Sequence, residues 1–303
     1  MDTIAVLMST YNGQKYIMKQ IESIIGQKNV RIKLFIRDDG STDGTKEVLE
    51  KVLREHDNVI VWFGDNIGWR QSFAQLILDA GDFDYYAFAD QDDYWMEDKL
   101  VCAINAIRSH DNTPCVYRGR SIISDGNLNP SDAIFPKGPV ISPTRALFQN
   151  YCQGCTMVFN RCLRDLYVKH PIPKSSHDVW LPLIALHTGI IVDDSQPHML
   201  YRVHASNASA GKSFMQTLRK RIKVVKKQSD SLYHYNYGKV LYNDFKGLLN
   251  EESLKICEQM AEYDTSLRMK MKLLFNPEVR GNTFLRTLLV KYFIITNSYR
   301  SDI

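Results

Sequence analysis

RIKLFIRDDGSTDGTKEVLE, residues 31–50, carries two incompatible readings, and choosing between them decides the fold. Taken alone, residues 39–50 fit a calcium-binding loop: Asp39, Ser41 and Asp43 alternate, Gly44 sits at the sharp turn and Glu50 closes the loop. An EF-hand, however, needs an amphipathic helix leading into that loop. Here Ile32, Leu34 and Ile36 recur at every second position, on one face of a strand. Lys46 also stands where the loop calls for an aliphatic residue, and no second loop of this template occurs in the chain. The stretch therefore reads as strand, polar turn, helix. Asp43 or Ser41 is expected to cap the helix beginning near Thr45.

The same unit recurs on both sides. Residues 3–10 form an apolar run ending in a YNG turn, and Ile17, Ile21, Ile24 and Ile25 follow at helical spacing. NVIVWFG (58–64) and DYYAFAD (84–90) read as further strands, with a helix over 71–78 between them. Strands alternating with helices predict an α/β domain with a mostly parallel sheet that binds ligands at its carboxyl edge. A helix is expected over 99–109, then mixed strand and loop to about His204, and a mainly helical region after a boundary near Ala208. The expected division is residues 1–208 and residues 209–303.

A chain of 303 residues with 44% hydrophobic and 24% charged residues is globular, not disordered or fibrous. The amino terminus has no basic stretch before its apolar run, so no secretory leader is expected and the compartment is taken as cytoplasmic. Six scattered cysteines suit free thiols. Cys152 and Cys155 form a single C-x-x-C with no second pair or nearby histidine, which argues against zinc. That turn is expected to line a sugar pocket, with Gly154 allowing close backbone approach.

The clearest chemical signal is FADQDDYW, residues 88–95. Side chains two apart on extended backbone face the same way, so Asp90 and Asp92 project together and Asp93 points elsewhere. Two converging carboxylates repel unless a cation or proton lies between them, and oxygen ligands of this kind suit Mg²⁺ or Mn²⁺ with a diphosphate. A solvated loop capping the next helix is the plainer alternative. The acids at 38 and 39, followed by Gly, Ser and Thr, similarly present a carboxylate and backbone N–H groups at a sheet edge, where a base imide could donate.

In order along the chain, STYNG, RDDGSTDGT, DNIG, FADQDDYW, GCTMVFNR, HDVWLPLIA and YRVHASN resemble the motif series of family 2 glycosyltransferases of the GT-A fold. The pattern is most similar to that of bacterial polysaccharide rhamnosyltransferases and covers roughly residues 3–210. The resemblance implies that Thr10, Tyr11 and Asn12 lie against the nucleotide and that Asp39 accepts the base N–H. It puts Asn66 and Gly68 near the nucleotide and its phosphates, Asp90 near the ribose, and Asp92 and His204 at the metal. Asp178 takes the place of the catalytic base. The sugar or acceptor pocket is expected to involve Gly154, Cys155, His177 and Trp180, with Trp180 partly desolvating Asp178. Read without the family, Asp178 serves equally well as a helix N-cap and His204 as a structural histidine.

Ser72 and Phe73 stand where many members carry an Arg-Asn pair, so Arg70 or a tail cation is expected to replace that diphosphate contact. The implied reaction is inverting transfer of a sugar, rhamnose from dTDP-rhamnose in the first instance, to a glycan or lipid-linked glycan. UDP-glucose, UDP-galactose and UDP-GlcNAc are the other donors to consider, and a silent nucleotide-binding module is the non-enzymatic alternative. Residues 212–227 hold seven Lys or Arg and no acid, and Met215, Leu218, Ile222 and Val225 recur at helical spacing. With the apolar run FLRTLLVKYFII (284–295), this predicts contact with the inner face of a membrane; a helical cap or homodimer interface is the alternative. Aromatic-basic nucleic-acid modules are absent, so nucleic acid is not expected.

Overall fold

The computed structural model describes residues 1–172, 175–204 and 235–299. The strand reading of residues 31–38 holds. β1 (Thr3–Thr10), β2 (Arg31–Asp38), β3 (Val59–Phe63) and β4 (Tyr85–Ala89) are hydrogen-bonded in parallel in the order β3-β2-β1-β4. Between them run α1 (Ile17–Ile25), α2 (Thr45–Glu55) and α3 (Trp69–Asp79). The first helix begins at Ile17, where its apolar spacing begins, after a turn in which the Gly13 carbonyl accepts from the N–H groups of Tyr16 and Ile17. β1 shows why the sheet is covered on both faces: Ile4, Val6 and Met8 enter one core with α1 and α2, while Ala5 and Leu7 enter the other with α3.

Beyond β4 come β5 (Tyr94–Trp95), α4 (Lys99–Ile107), β6 (Cys115–Ser124), β7 (Pro130–Phe135) and the short α5 (Pro143–Ala146). They are followed by β8 (Met157–Asn160), α6 (Arg161–Lys169), α7 (His177–Thr188) and β9 (Ile190–Arg202). The sheet continues through antiparallel β8 and β6, then β9 parallel to β6, and β5 antiparallel to β9, with β7 beside β6. Sheet direction thus changes once past β4, so the loop 90–93 lies where the parallel half meets the mixed half. This is the expected α/β architecture.

The carboxy-terminal helices α8 (Tyr237–Phe245), α9 (Glu251–Glu262), α10 (Leu267–Phe275) and α11 (Phe284–Ile295) share a core with α3, α6 and α7. Asn236 caps α8 through its side-chain oxygen and donates to the Met260 carbonyl, tying α8 to α9. Trp180 is completely buried, stacked on Tyr237 at 5.7 Å between centroids and edge-on to Phe245, with its indole N–H donating to the His170 carbonyl. This corrects the expectation that Trp180 lines a pocket and desolvates Asp178: the two-residue step between them, about half a helical turn, carries its ring toward α8 and away from Asp178. The boundary near Ala208 and the basic amphipathic pattern at Met215, Leu218, Ile222 and Val225 lie outside the described residues.

α7 is apolar on all sides because the sheet covers one flank and α8 and α9 the other. His187 pays the consequence: it is fully buried, with Nδ1 3.9 Å from the Cys257 thiol on α9. Burial holds it neutral by lowering its pKa from 6.5 to about 4. Between those two values the unfolded chain binds a proton that the folded chain refuses, so stability is complete above the upper value and falls as pH drops toward the lower one. A shift of this size corresponds to roughly 3 kcal/mol. His187→Leu is expected to flatten the loss of thermal stability between about pH 7 and about pH 4.5 measured by calorimetry; an unchanged pH slope would refute the assignment.

Candidate active site

Every acid singled out by the sequence falls near the carboxyl edge of β1, β2 and β4 or on the first turn of α7, and each has a different local solution to its charge. Asp39 follows β2 and is almost completely buried. Its carboxylate is paired with the Arg37 guanidinium and accepts from the backbone N–H groups of Ile67 at 3.0 Å and Gly68 at 2.8 Å. Three of about four lone-pair sites are therefore filled. Gly68 adopts φ +84°, a left-handed conformation that L side chains rarely take, which lets its N–H turn toward Asp39. Asn66 is exposed on the same loop. Arg37, whose charge makes burial of Asp39 tolerable, escaped the sequence reading because it sits inside the strand pattern.

Ser41 donates to Asp38 and accepts from the Asn12 N–H at 2.9 Å, while the Asn12 side chain accepts from the Thr42 N–H at 2.8 Å. The cap position of α2 is Gly44, with no side-chain cap bond, so neither Asp43 nor Ser41 is the capping residue; Asp43, one residue earlier, accepts from the Thr45 N–H at 3.0 Å. Below these turns an open cleft of about 420 Å³ is lined by Asp38, Gly40, Ser41, Lys46, Phe63, Gly64 and Asp65. Phe63 is exposed there, with the Lys46 ammonium 5.4 Å from its ring centroid. Neither residue was singled out from sequence.

The loop after β4 is the centre of the arrangement. Gln91, between the two acids, faces the opposite way and clasps the end of β1: its side-chain oxygen accepts from Thr10 Oγ1 at 2.5 Å and the Tyr11 N–H at 3.0 Å, and its amide donates to the Tyr11 carbonyl at 3.1 Å. Thr10 is buried by this clasp and Tyr11 is left exposed. Asp92 and His204, 112 positions apart, meet with His204 Nε2 2.8 Å from the carboxylate. Arg202, from the same late segment, donates to the Asp92 carbonyl at 2.6 Å and to the Gly126 carbonyl at 2.7 Å, and its guanidinium lies 4.5 Å from the Tyr16 ring.

Asp90 is pushed up, to about 7, by burial and by the neighbouring charges of Asp92 and Asp178. Asp178 thus lies within electrostatic reach of Asp90. It is half-buried on the first turn of α7, accepting from Asn150 Nδ2 at 3.0 Å and from the Ser176 hydroxyl. Ser176, not Asp178, occupies the cap position of α7, which removes the capping explanation for Asp178. The expectation that Asp93 points away from Asp90 needs correction: a carboxylate oxygen of each and the Cys155 sulfur lie within 4.8 Å of one another, and Asp93 is fully buried there, with its carboxyl well above its usual range through burial and the neighbouring Asp90 and Asp92. Lys99, also buried, stands 3.6 Å over the Trp95 ring, and burial lowers its pKa to about 7.

Three further expectations about the pocket need correction. Cys155 is buried behind the acids, where its thiol bonds Asp90 and Asp93, and burial raises its pKa well above the usual thiol range. Gly154 is covered by the His177 imidazole, which fills the space a side chain would need. His177 itself is buried among Phe73, Phe88 and Trp69, its ring 4.0 Å from that of Phe73, and burial lowers its pKa to about 4. Gly154, Cys155 and His177 support the acid-bearing loop from beneath and do not line an open pocket. Arg70 stacks on Trp69 at 4.8 Å, with a buried Nε that has no hydrogen-bond partner.

Comparison with known proteins agrees with this architecture. The model of the family described as Glycosyl transferase family 2 matches residues 5–165, more than half of the chain. The chain is 29% identical over 243 residues to the dTDP-rhamnosyl transferase RfbG of Shigella flexneri, covering 72% of this chain and 79% of that one. It is 26% identical over 216 residues to the UDP-Glc:alpha-D-GlcNAc-diphosphoundecaprenol beta-1,3-glucosyltransferase WfaP of Escherichia coli, covering 70% and 82%. Among solved structures, S. aureus TarS 1-349 in complex with UDP-GlcNAc superposes with a TM-score of 0.55 at 18% identity, covering 100% of this chain and 94% of the other. The chain belongs to glycosyl transferase family 2 and is a glycosyltransferase of the GT-A α/β fold.

Proposed function

We propose that the enzyme is an inverting, metal-dependent transferase that moves L-rhamnose from dTDP-rhamnose to a hydroxyl of a glycan or lipid-linked glycan in bacterial surface polysaccharide synthesis. The observation that carries the transfer chemistry is the convergence of Asp92 and Asp178, from two distant segments, on Asp90, whose carboxyl is pushed upward by burial and then by these two charges. The donor sugar rests on likeness to a dTDP-rhamnosyl transferase, and UDP-glucose is the alternative favoured by likeness to a glucosyltransferase. Residues 1–208 form the catalytic part in this reading, and residues 209–303 serve acceptor, membrane or dimer contacts.

The donor set fits a hard divalent cation, since Asp92 and His204 are already adjacent and Asp90 carries a charge that its surroundings disfavour. Mg²⁺ or Mn²⁺ held by Asp92 and His204 would neutralise charge on the departing diphosphate. Tyr11, Asn12 and Asn66 are the nucleotide contacts, Thr10 and Gly68 fix the loops that carry them, and Asp39 uses its remaining lone pair for the base N–H. Asp90 faces the ribose. Arg70, on the first turn of α3, is the cation that replaces the missing Arg-Asn pair at the diphosphate in this reading.

Asp178 takes the proton of the acceptor hydroxyl as that oxygen bonds to the anomeric carbon, and the bond from that carbon to the diphosphate oxygen breaks on the opposite face, leaving the nucleoside diphosphate. Asn150 and Ser176 hold the Asp178 carboxylate in place for this step. Single displacement of this kind inverts the anomeric configuration.

Asp178→Asn is expected to lower transfer about 10²- to 10⁴-fold while leaving binding of the nucleoside diphosphate unchanged by calorimetry. Full transfer by this variant would end its assignment as the base. A screen of dTDP-rhamnose against the UDP-sugars, monitored by nucleoside diphosphate release with acceptor present, should show turnover that chelator abolishes and Mn²⁺ or Mg²⁺ restores. Turnover indifferent to chelator would remove Asp92 and His204 from their metal role, and release without acceptor would indicate hydrolysis instead.

A further inference from the structure

α10 and α11 form an antiparallel hairpin. Lys270 Nζ donates to the Ile295 carbonyl at 3.4 Å, and Lys291 Nζ donates to the carbonyls of Leu273, Leu274 and Asn276 at 3.0, 2.8 and 3.2 Å. On α10, Leu267, Met271 and Phe275 recur every four residues and are 75%, 41% and 78% exposed. On α11, Leu285, Leu288, Tyr292 and Ile295 recur at three and four and are at least half exposed, whereas Val290, Phe293 and Ile294 face the core. In each helix the exposed stripe lies about a quarter-turn on, in the chain direction, from the side facing its partner. In an antiparallel pair that geometry puts both stripes on the same side, giving one continuous exposed apolar face of the kind that marks an interaction site.

The charges around this face select its occupant. Residues 267–295 hold six cations, Arg268, Lys270, Lys272, Arg280, Arg286 and Lys291, against one acid, Glu278. A second copy docked through a two-fold axis would bring these like charges together at the apolar contact. The segment 212–227, with seven cations and no acid, has the same sign and is no better matched. A bilayer with anionic headgroups is complementary in both respects, with hydrocarbon for the stripe and negative charge for its rim. No helix among the described residues is long and apolar enough to cross a membrane, so the contact is interfacial.

We propose that the α10–α11 face docks the enzyme on an anionic lipid surface and presents Asp178 to an acceptor held there. Glu278, in the turn of the hairpin, accepts from Ser142 Oγ at 2.8 Å, and the segment that follows Ser142 carries Asn150, which binds Asp178 at 3.0 Å. The docking face is thereby tied to the segment that holds Asp178. This deepens the reading of a transferase with a lipid-linked acceptor and rests on it.

The test is co-sedimentation of the full chain with phosphatidylcholine vesicles with and without phosphatidylglycerol. The wild type is expected to bind the anionic vesicles and to release with salt. Phe275→Glu/Leu288→Glu, at exposed positions, should weaken binding about tenfold or more without changing the melting temperature. Arg268→Glu/Lys272→Glu should weaken binding to anionic vesicles and leave binding to neutral ones as it was. Failure of the wild type to bind, equal binding by the apolar variant, or a dimer in sedimentation velocity that the apolar variant dissolves would each overturn the proposal. Transfer to a water-soluble acceptor separates the two readings: activity without vesicle binding sinks the docking face alone, and vesicle binding without transfer sinks the enzymatic reading alone.

Discussion

The structure turns on the cost of gathering carboxylates at one edge of a sheet. Asp38, Asp39, Asp90, Asp92, Asp93 and Asp178 cannot all keep their charge there unless each finds a compensating group. Asp38 has the Ser41 hydroxyl and backbone N–H, Asp39 has Arg37, and Asp92 has His204. Asp93 accepts from the Arg202 N–H, and Asp178 holds Asn150 and Ser176. Asp90 and Asp93 remain under-compensated, and burial together with their charged neighbours displaces both carboxyls upward. Electrostatic tension gathered at one place in a structure is a common mark of a site built for a charged ligand.

The parts of this arrangement that were legible in the sequence are those whose signal is local. Alternation over residues 31–38 fixes β2, and a strand ending in acids locates the edge, so rejecting the calcium loop was enough to establish the layer architecture. The two-residue spacing of Asp90 and Asp92 carries its own geometry. Asp178 and His204 were reachable only through the ordered motif series, because nothing within a few residues of either distinguishes a ligand from a cap or a core histidine.

What stayed hidden depends on neighbours supplied from far along the chain. Trp180 looks like a pocket residue when only α7 is considered; its fate is decided by Tyr237 and Phe245 on α8. His177 looks polar and available, but Phe73 and Phe88 close over it from α3 and β4. Cys155 and Gly154 similarly resemble a ligand turn until Asp93 and His177 are seen to occupy the space around them. A helix that is apolar all round signals such burial, and residues 179–186 have that character, but the sequence does not say which side each neighbour comes from.

Gln91 shows how the same backbone alternation can serve two ends. Because side chains alternate, a residue between two acids that face a ligand must face away from it. That leaves its amide aimed at β1, where one oxygen takes two donors and the nitrogen gives one back. The clasp ties the backbone of Tyr11 to the acid-bearing loop, so the end of β1 and that loop cannot move independently. Arg202 does the corresponding work from the other flank by holding the Asp92 carbonyl, and its own segment delivers His204 two residues later. The acids are therefore held in register by polar groups that never need to touch a ligand, and the preorganisation of the edge resides in Gln91 and Arg202 as much as in the carboxylates themselves.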